Sequence, residues 1–381
     1  MFSEKEKTRI REICKNIVER IENDHIGCFR GMDKPLFLIS EQYPGVWLEH
    51  VWDSVLYAQL VPSKTDIAVN TICLFIDRQK KDGQLPCYVW NPDKIDCSSA
   101  ELIGYSHIQE CVSFAQLCLE VYEMTGDRLL LEKAWMSITK WVSWLKSNRM
   151  TLKCGLIEMF VGYDTGHDNS GRLEGISCSG LYSENGVAMN ASVLPEDDIV
   201  PIIAVDMNAN YYATLIALAK MADLLKLDDD ARKWKSEAQQ VKEKLFEMCF
   251  DKEKDKELIR KIYEMHIKNP EEFWTEYPFP SMALSDQSFK KHTDYNCWGY
   301  FSQGLIALRC IRWMDYYGMS ADFDIVCEKW LKAWSRCYDE FKLGQELDPI
   351  TGKPSVSSEW YSSSMLFYWY AAKRLHIYIP E

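Results

Sequence analysis

Apolar residues recur along most of this chain at steps of three and four, the spacing that lines one face of an α-helix. The first such run covers residues 4–23. There Ile10, Ile13, Ile17 and Ile21 follow Ser3, a residue type that caps helix starts. The same spacing predicts helices over about 47–60, 65–80, 106–125, 128–147, 206–226, 229–249, 297–317, 321–340 and 360–375. Few segments alternate with period two, so a long parallel sheet is not expected.

The helices also repeat as pairs. A-Q-L-C-L-E-V-Y-E-M-T-G-D-R-L-L-L-E-K-A-W from residue 115 resembles A-L-A-K-M-A-D-L-L-K-L-D-D-D-A-R-K-W from 217 and L-I-A-L-R-C-I-R-W-M-D-Y-Y-G-M-S-A-D-F from 305. Each is a helix, a short turn and a second amphipathic helix, with turns near 126, 228 and 319. At roughly 45–50 residues per hairpin, about six hairpins fit the chain. An open stack of hairpins needs polar caps at both ends, whereas a closed ring needs none. The expected fold is therefore all-α, an (α/α)6 toroid over residues 1–381 as a single domain. Segments without helical spacing lie at 24–46, 81–104, 150–205, 250–294 and 341–359. They are too long for simple connections and rich in Trp, Tyr, Pro and Gly, so they are expected to line one mouth of the ring.

Composition then narrows the chemistry. Net charge is −13 with no basic stripe to offset it, which argues against nucleic-acid binding. No apolar run reaches the ~18 residues of a spanning helix, and the first residues, M-F-S-E-K-E-K-T-R-I-R-E, are charged where a signal peptide would be apolar. A cytoplasmic protein without membrane attachment is expected, and assembly into a homo-oligomer is left open. The 14 cysteines are scattered, many in apolar helical stretches, and read as reduced small hydrophobes. Fourteen tryptophans supply flat apolar faces of the kind that hold sugar rings.

Four stretches carry candidate chemistry. Y-P-G-V-W-L-E-H-V-W-D-S at 43–54 sets Trp47 and Trp52 beside Asp53, an aromatic face next to a hydroxyl acceptor. D-R-Q-K-K-D-G-Q-L-P-C-Y-V-W at 77–90 offers Gln84 and Trp90 after a turn. G-Y-D-T-G-H-D-N-S-G-R at 162–172 gathers Tyr163, Asp164, His167, Asp168 and Arg172 in one loop. Q-E-L-D-P-I-T-G-K-P-S-V-S-S-E-W at 345–360 holds Glu346, Glu359 and Trp360. The His and Asp spacing matches no metal motif, and no phosphate-binding or dinucleotide-binding glycine pattern is present, so no cofactor is expected. Two carboxylates on separate loops beside an aromatic cleft point to glycoside hydrolysis, one acid protonating the leaving oxygen and the other attacking or activating water. Epimerases or lyases on the same toroid would use histidines, for which His50, His107 and His167 are available. A non-catalytic sugar-binding protein is the third reading.

The ordered set Y-P-G-x-W…W-D-S, D-G-Q-L-P, I-Q, G-x-D-N-S-x-R, Y-P-F-P-S, N-x-W-G and E-x-D-P-x-T-G-x-P resembles glycoside hydrolase family 63. The nearest branch in appearance is the compact bacterial type that includes mannosylglycerate and glucosylglycerate hydrolases, with trehalases more distant. The resemblance covers about residues 43–375. It implies an (α/α)6 toroid acting with inversion on a small glucoside or mannoside, from which an exo-acting α-glycosidase is expected. It implies Asp168 as general acid and Glu346 as general base. It implies Trp52 and Asp53 in the deepest sugar subsite, and Tyr43, Gln109 and Trp298 lining the pocket. This chain departs from the pattern at Gly171-Arg172-Leu173, where the family has Pro, Arg and Trp. It departs again at Glu359-Trp360, which adds a carboxylate as a second candidate base or selectivity group.

Overall fold

A computed structural model describes residues 2–95, 102–109, 112–167, 201–249, 260–287, 289, 298, 300–355 and 359–379. The helices are α1 (Glu4–Arg20), α2 (Val51–Leu60), α3 (Thr65–Ile76), α4 (Phe114–Thr125), α5 (Arg128–Asn148), α6 (Val205–Leu225), α7 (Asp228–Cys249), α8 (Gly304–Trp313), α9 (Ser320–Phe341) and α10 (Ser362–Arg374). In α1, Ser3 caps the start in a reciprocal box with Glu6, and Ile10, Ile13 and Ile17 are buried. Short turns join α4 to α5, α6 to α7 and α8 to α9. Gly126 takes φ 67° at the end of α4, where a left-handed residue stops the helix, and Asp127 then caps α5 through the Leu130 N–H.

Helices α2 and α10 are buried nearly all round, while α1, α7 and α9 bury one stripe each. Packing runs from α8 to α10, α2, α4 and α6 in turn, with α3 and α5 set against α4 and α6. Helices α2, α4, α6, α8 and α10 thus form the inner wall. The hairpin turns lie at their C-terminal ends, and each long segment leads into one of their N-termini. The described parts of the long segments therefore gather at one mouth, where several are hydrogen-bonded to one another.

Those bonds form short strands that the periodicity could not predict. β1 (Ile26–Gly27) pairs β2 (Leu36–Phe37). β3 (Gly45–Trp47), β4 (Tyr88–Trp90) and β5 (Ile103–Gly104) make a three-stranded antiparallel sheet. β6 (Ser302–Gln303) pairs β7 (Glu346–Leu347). Their presence shortens the expected helices. α2 starts at residue 51 rather than 47, because residues 45–47 are extended in β3. α8 starts at 304 rather than 297, because residues 302–303 pair with β7. α4 starts at 114 rather than 106. Gln109 stands at φ 49°, outside helical space, and the Ser113 hydroxyl caps the helix through Gln116 N–H.

Candidate active site

Glu346 lies on β7, directly opposite Gln303 on β6. Its side chain has no exposed surface, and Oε2 accepts a hydrogen bond from the Gln303 amide. The D-P-I-T-G turn that follows fixes this hairpin. Asp348 Oδ1 accepts from the Ile350 and Thr351 N–H groups, at 2.9 and 2.7 Å, and Oδ2 from the Tyr300 hydroxyl at 2.8 Å. Burial works to raise the Asp348 carboxyl, but these donors hold it below its ordinary value. At Gly304, a Cβ would lie 2.1 Å from Ser364 Oγ of α10, so glycine permits the contact that seats α8 directly behind Gln303.

Across the mouth, the loop from residue 149 to 167 is fastened by buried polar groups. Arg149, at the end of α5, and Asp164 form an ion pair with no solvent exposure, Nη1 to Oδ2 at 2.5 Å. Asp164 also accepts from the N–H groups of Phe160 (2.7 Å), Val161 (3.1 Å) and Ile108 (2.9 Å). Glu158 accepts from the Thr151 N–H and hydroxyl and from Leu152 N–H. Asn208 on α6 bonds both the N–H and C=O of Ile157. Asp164 is thus a clamp that ties this loop to residue 108, not a solvated turn residue. Its cationic partner is Arg149, which sequence spacing did not single out. Asp168 and Arg172 lie outside the described residues. His167, one position before Asp168, has Nδ1 3.3 Å from Asp206 Oδ2 and stacks on Trp298 with ring centres 5.2 Å apart.

The β3–β5 sheet supplies an aromatic cluster. Trp47 lies against Tyr88 (4.8 Å), edge-on to Trp90 (5.6 Å) and beside His107 (5.7 Å), and Tyr163 closes on His107 at 6.0 Å. Trp47, Trp90 and Tyr163 are half-buried and keep open surface. Tyr43 meets the edge of Tyr361, whose hydroxyl shares a 2.6 Å hydrogen bond with His50 Nε2. Burial pushes His50 down to about 3 and His107 down to about 4, so both are neutral near pH 7. With His50 on Tyr361 and His107 Nδ1 on Ser106 Oγ, these two do not face each other as an acid–base pair. Gln109 is buried in its left-handed position.

Four other expected site residues have local explanations. Gln84 is buried, donates to Tyr105 O (3.0 Å) and accepts from Lys80 (3.2 Å), so its amide braces the loop. Trp360 packs on Tyr338 and Arg20 at the outer helices α9 and α1, which accounts for its ring without a ligand. Glu359 is exposed. Asp53 is fully buried and bonded by Ser362 (2.5 Å) and Ser363 (3.0 Å) of α10. A sugar hydroxyl would have to displace these serines to reach it.

Burial raises Asp53 to about 7, with Glu49 adding to the rise and the serine hydroxyls and Arg309 only partly opposing it. The folded protein holds a proton there that the unfolded chain has released. This stabilisation is therefore fullest in acid and is lost as pH rises through about 7. Against Asp53→Asn, the wild type is expected to lose on the order of 2 kcal/mol between pH 5 and 7.5, read by urea unfolding at each pH.

A cavity of about 530 Å³ extends from His167 down the inner wall, past Trp52, Asn210, Ile306 and Arg309. Arg312 stands over the Trp52 ring at 3.6 Å and is held by both oxygens of Glu120. Arg309 reaches Glu49 at 3.4 Å. Sequence reading missed Glu49, Glu120, Arg149, Gln303, Arg309 and Arg312. The available signal was a pair of arginines three apart in L-I-A-L-R-C-I-R-W, an otherwise apolar helix. Among the described residues no group of three or more His, Cys, Asp or Glu is placed to hold a metal, and no helix is long and apolar enough to cross a membrane.

Residues 43–262 match the family model of the mannosylglycerate hydrolase MGH1-like glycoside hydrolase domain. No curated protein matches the chain. Among solved structures, the GH63 mannosylglycerate hydrolase from Thermus thermophilus, in complex with Tris and D-glycerate, superposes with a TM-score of 0.71 at 16% identity. The match covers 95% of this chain and 100% of that one. Neutral trehalase Nth1 from Saccharomyces cerevisiae superposes at 0.65 and 13% identity, covering 96% and 80%. A metal-independent α-mannosidase from Streptococcus pneumoniae gives 0.60 at 10%, covering 97% and 95%. At these identities the structures share the fold, the helical toroid.

Proposed function

The chain belongs to the mannosylglycerate hydrolase MGH1-like glycoside hydrolase family, and within that hydrolase class we propose an inverting, exo-acting α-glycosidase for a small glucoside or mannoside. The observation that carries this is the placement of Glu346. A carboxylate with no solvent exposure sits at the mouth, fixed by strand pairing and by the Gln303 amide.

In this reading Glu346 takes a proton from water as its oxygen attacks the anomeric carbon. Asp168 gives a proton to the departing glycosidic oxygen on the opposite face. An inverting pair stands about 6.5–9.5 Å apart, so that the water fits between base and sugar. The clamp of Arg149 and Asp164 supports Asp168 by fixing the loop up to residue 167. Trp47 and Tyr163, with Tyr43, Gln109 and Trp298, are proposed to hold the sugar, aromatic faces against C–H faces. The histidine chemistry of an epimerase or lyase gains no support from His50 and His107, both buried and neutral.

The test is a panel of α- and β-linked glucosides, mannosides and galactosides, followed by ¹H NMR in D₂O. An α-linked substrate is expected to release the β-anomer first, before mutarotation. Release of the α-anomer first, or no hydrolysis of any member, contradicts the proposal.

A further inference from the structure

The Arg312–Glu120 ion pair joins α8 to α4, two inner-wall helices with α10 and α2 between them. Side chains three and four apart share a helix face. Arg309 and Gln116 therefore stand one turn nearer the mouth on the same two faces, and both line the cavity below His167. The lower rung is closed and the upper one is not. Arg312 spends its guanidinium on both oxygens of Glu120 and on the Trp52 ring. Arg309 has one partner, Glu49, at 3.4 Å, and its Nε is buried without an acceptor. The Gln116 side chain is exposed and, among the described residues, its amide bonds nothing. By contrast, the Ser113 hydroxyl is bonded to Thr214, Ser281 donates to Phe301 O and the Asn210 amide donates to Asp206 O.

Unspent guanidinium donors and an unspent amide on one cavity wall suit hydroxyl groups. A hydroxyl accepts from a guanidinium and can donate to an amide oxygen at the same time. An anion suits the wall less, because each arginine already has a carboxylate, Glu49 for Arg309 and Glu120 for Arg312. The cavity also borders the hairpin that carries Glu346. Its lining residue Pro280 bridges Ser302, and Ser281 N–H donates to Phe301 O, while Gln303, next along the chain, pairs with Glu346. We propose that Arg309 and Gln116 are specificity residues that bond hydroxyls of a neutral sugar seated in this cavity. The choice of a sugar as the ligand rests on the hydrolase reading. A pocket built to bond a hydroxyl rejects the analogue that lacks it, because its own polar groups are then left unpaired.

The test is a double-mutant cycle between side chain and hydroxyl. The probes are methyl α-D-glucoside, methyl α-D-mannoside and their 2-, 3-, 4- and 6-deoxy derivatives. Binding is read by calorimetry in an Asp168→Asn background, and kcat/KM with Asp168 intact. Removing one of the hydroxyls is expected to cost about 10–100-fold while Arg309 is present, the range for a hydrogen bond to a charged group. In Arg309→Met the parent glycoside should fall by about that factor, and the same deoxygenation should then cost less than about threefold. Gln116→Leu, at an exposed helical position, is expected to show a smaller coupling, about threefold to tenfold, as for a neutral hydrogen bond. That variant decides the matter if Arg309→Met does not fold. Penalties that simply add in both variants overturn the inference. Tighter binding of methyl α-D-glucuronide than of methyl α-D-glucoside overturns it too, as does a failure of every probe to bind or be cleaved. Coupling in binding without turnover of any glycoside leaves the recognition standing and defeats the hydrolase reading. Turnover with additive penalties does the reverse.

Discussion

Replacing Glu346 with glutamine is expected to lower kcat/KM by about 10²–10⁴-fold on every glycoside the wild type cleaves, the usual contribution of a positioned acid or base. The substitution keeps side-chain volume and exchanges only the proton-accepting oxygen for an amide. Gln303 can still bond a neighbouring amide oxygen, and the β6–β7 pairing is carried by backbone, so the fold should survive. The loss should therefore lie in kcat, with thermal unfolding shifted little. Activity within threefold of wild type would remove Glu346 from the chemistry.

The second large effect is structural. Arg149 and Asp164 are both 0% exposed, and breaking a buried ion pair from one side leaves an uncompensated charge, at a cost of about 3–5 kcal/mol. Arg149→Met is expected to destabilise the protein by that amount in urea unfolding and to lower activity as well, because Asp164 organises the segment that leads into Asp168. Asp164→Asn should cost about as much as Arg149→Met, because it strands the buried Arg149 cation and turns an amide NH2 toward either the Ile108 N–H or the Phe160 and Val161 N–H groups. Exposed pairs such as Lys220–Glu123 bridge α6 and α4 with similar geometry, yet water screens them, and Lys220→Gln is expected to have little effect. Equal, small effects from Arg149→Met and Lys220→Gln would mean that the clamp does not hold the loop.

These residues also mark how far the sequence reaches. The helices were legible because each buries a stripe whose three-and-four spacing is local, and the turns at 126, 228 and 319 because glycine and aspartate announce them. The mouth was legible as long aromatic segments between hairpins. The strands were not, since two or three residues show no period, and they exist only because distant segments meet. Arg149 and Asp164 lie 15 residues apart across a helix end, so spacing gave no reason to join them. Trp52 and Asp53 read as a sugar platform because an indole beside a carboxylate has that chemistry. Nothing local shows that Arg312 and two serines from the far end of the chain already occupy them.

The central claim is the division of labour between Asp168 and Glu346, and the dependence of each variant on leaving-group ability tests it most directly. Asp168→Asn and Glu346→Gln would each be assayed on an alkyl glycoside, whose leaving oxygen must be protonated, and on the 2,4-dinitrophenyl glycoside of the same sugar, whose leaving group departs unaided. Asp168→Asn is expected to lose at least a hundredfold on the alkyl substrate and to stay within tenfold of wild type on the dinitrophenyl one. Glu346→Gln is expected to lose activity equally on both, because water must be activated in either case. Equal losses on both substrates for Asp168→Asn, or recovery of Glu346→Gln with the better leaving group, would contradict the account.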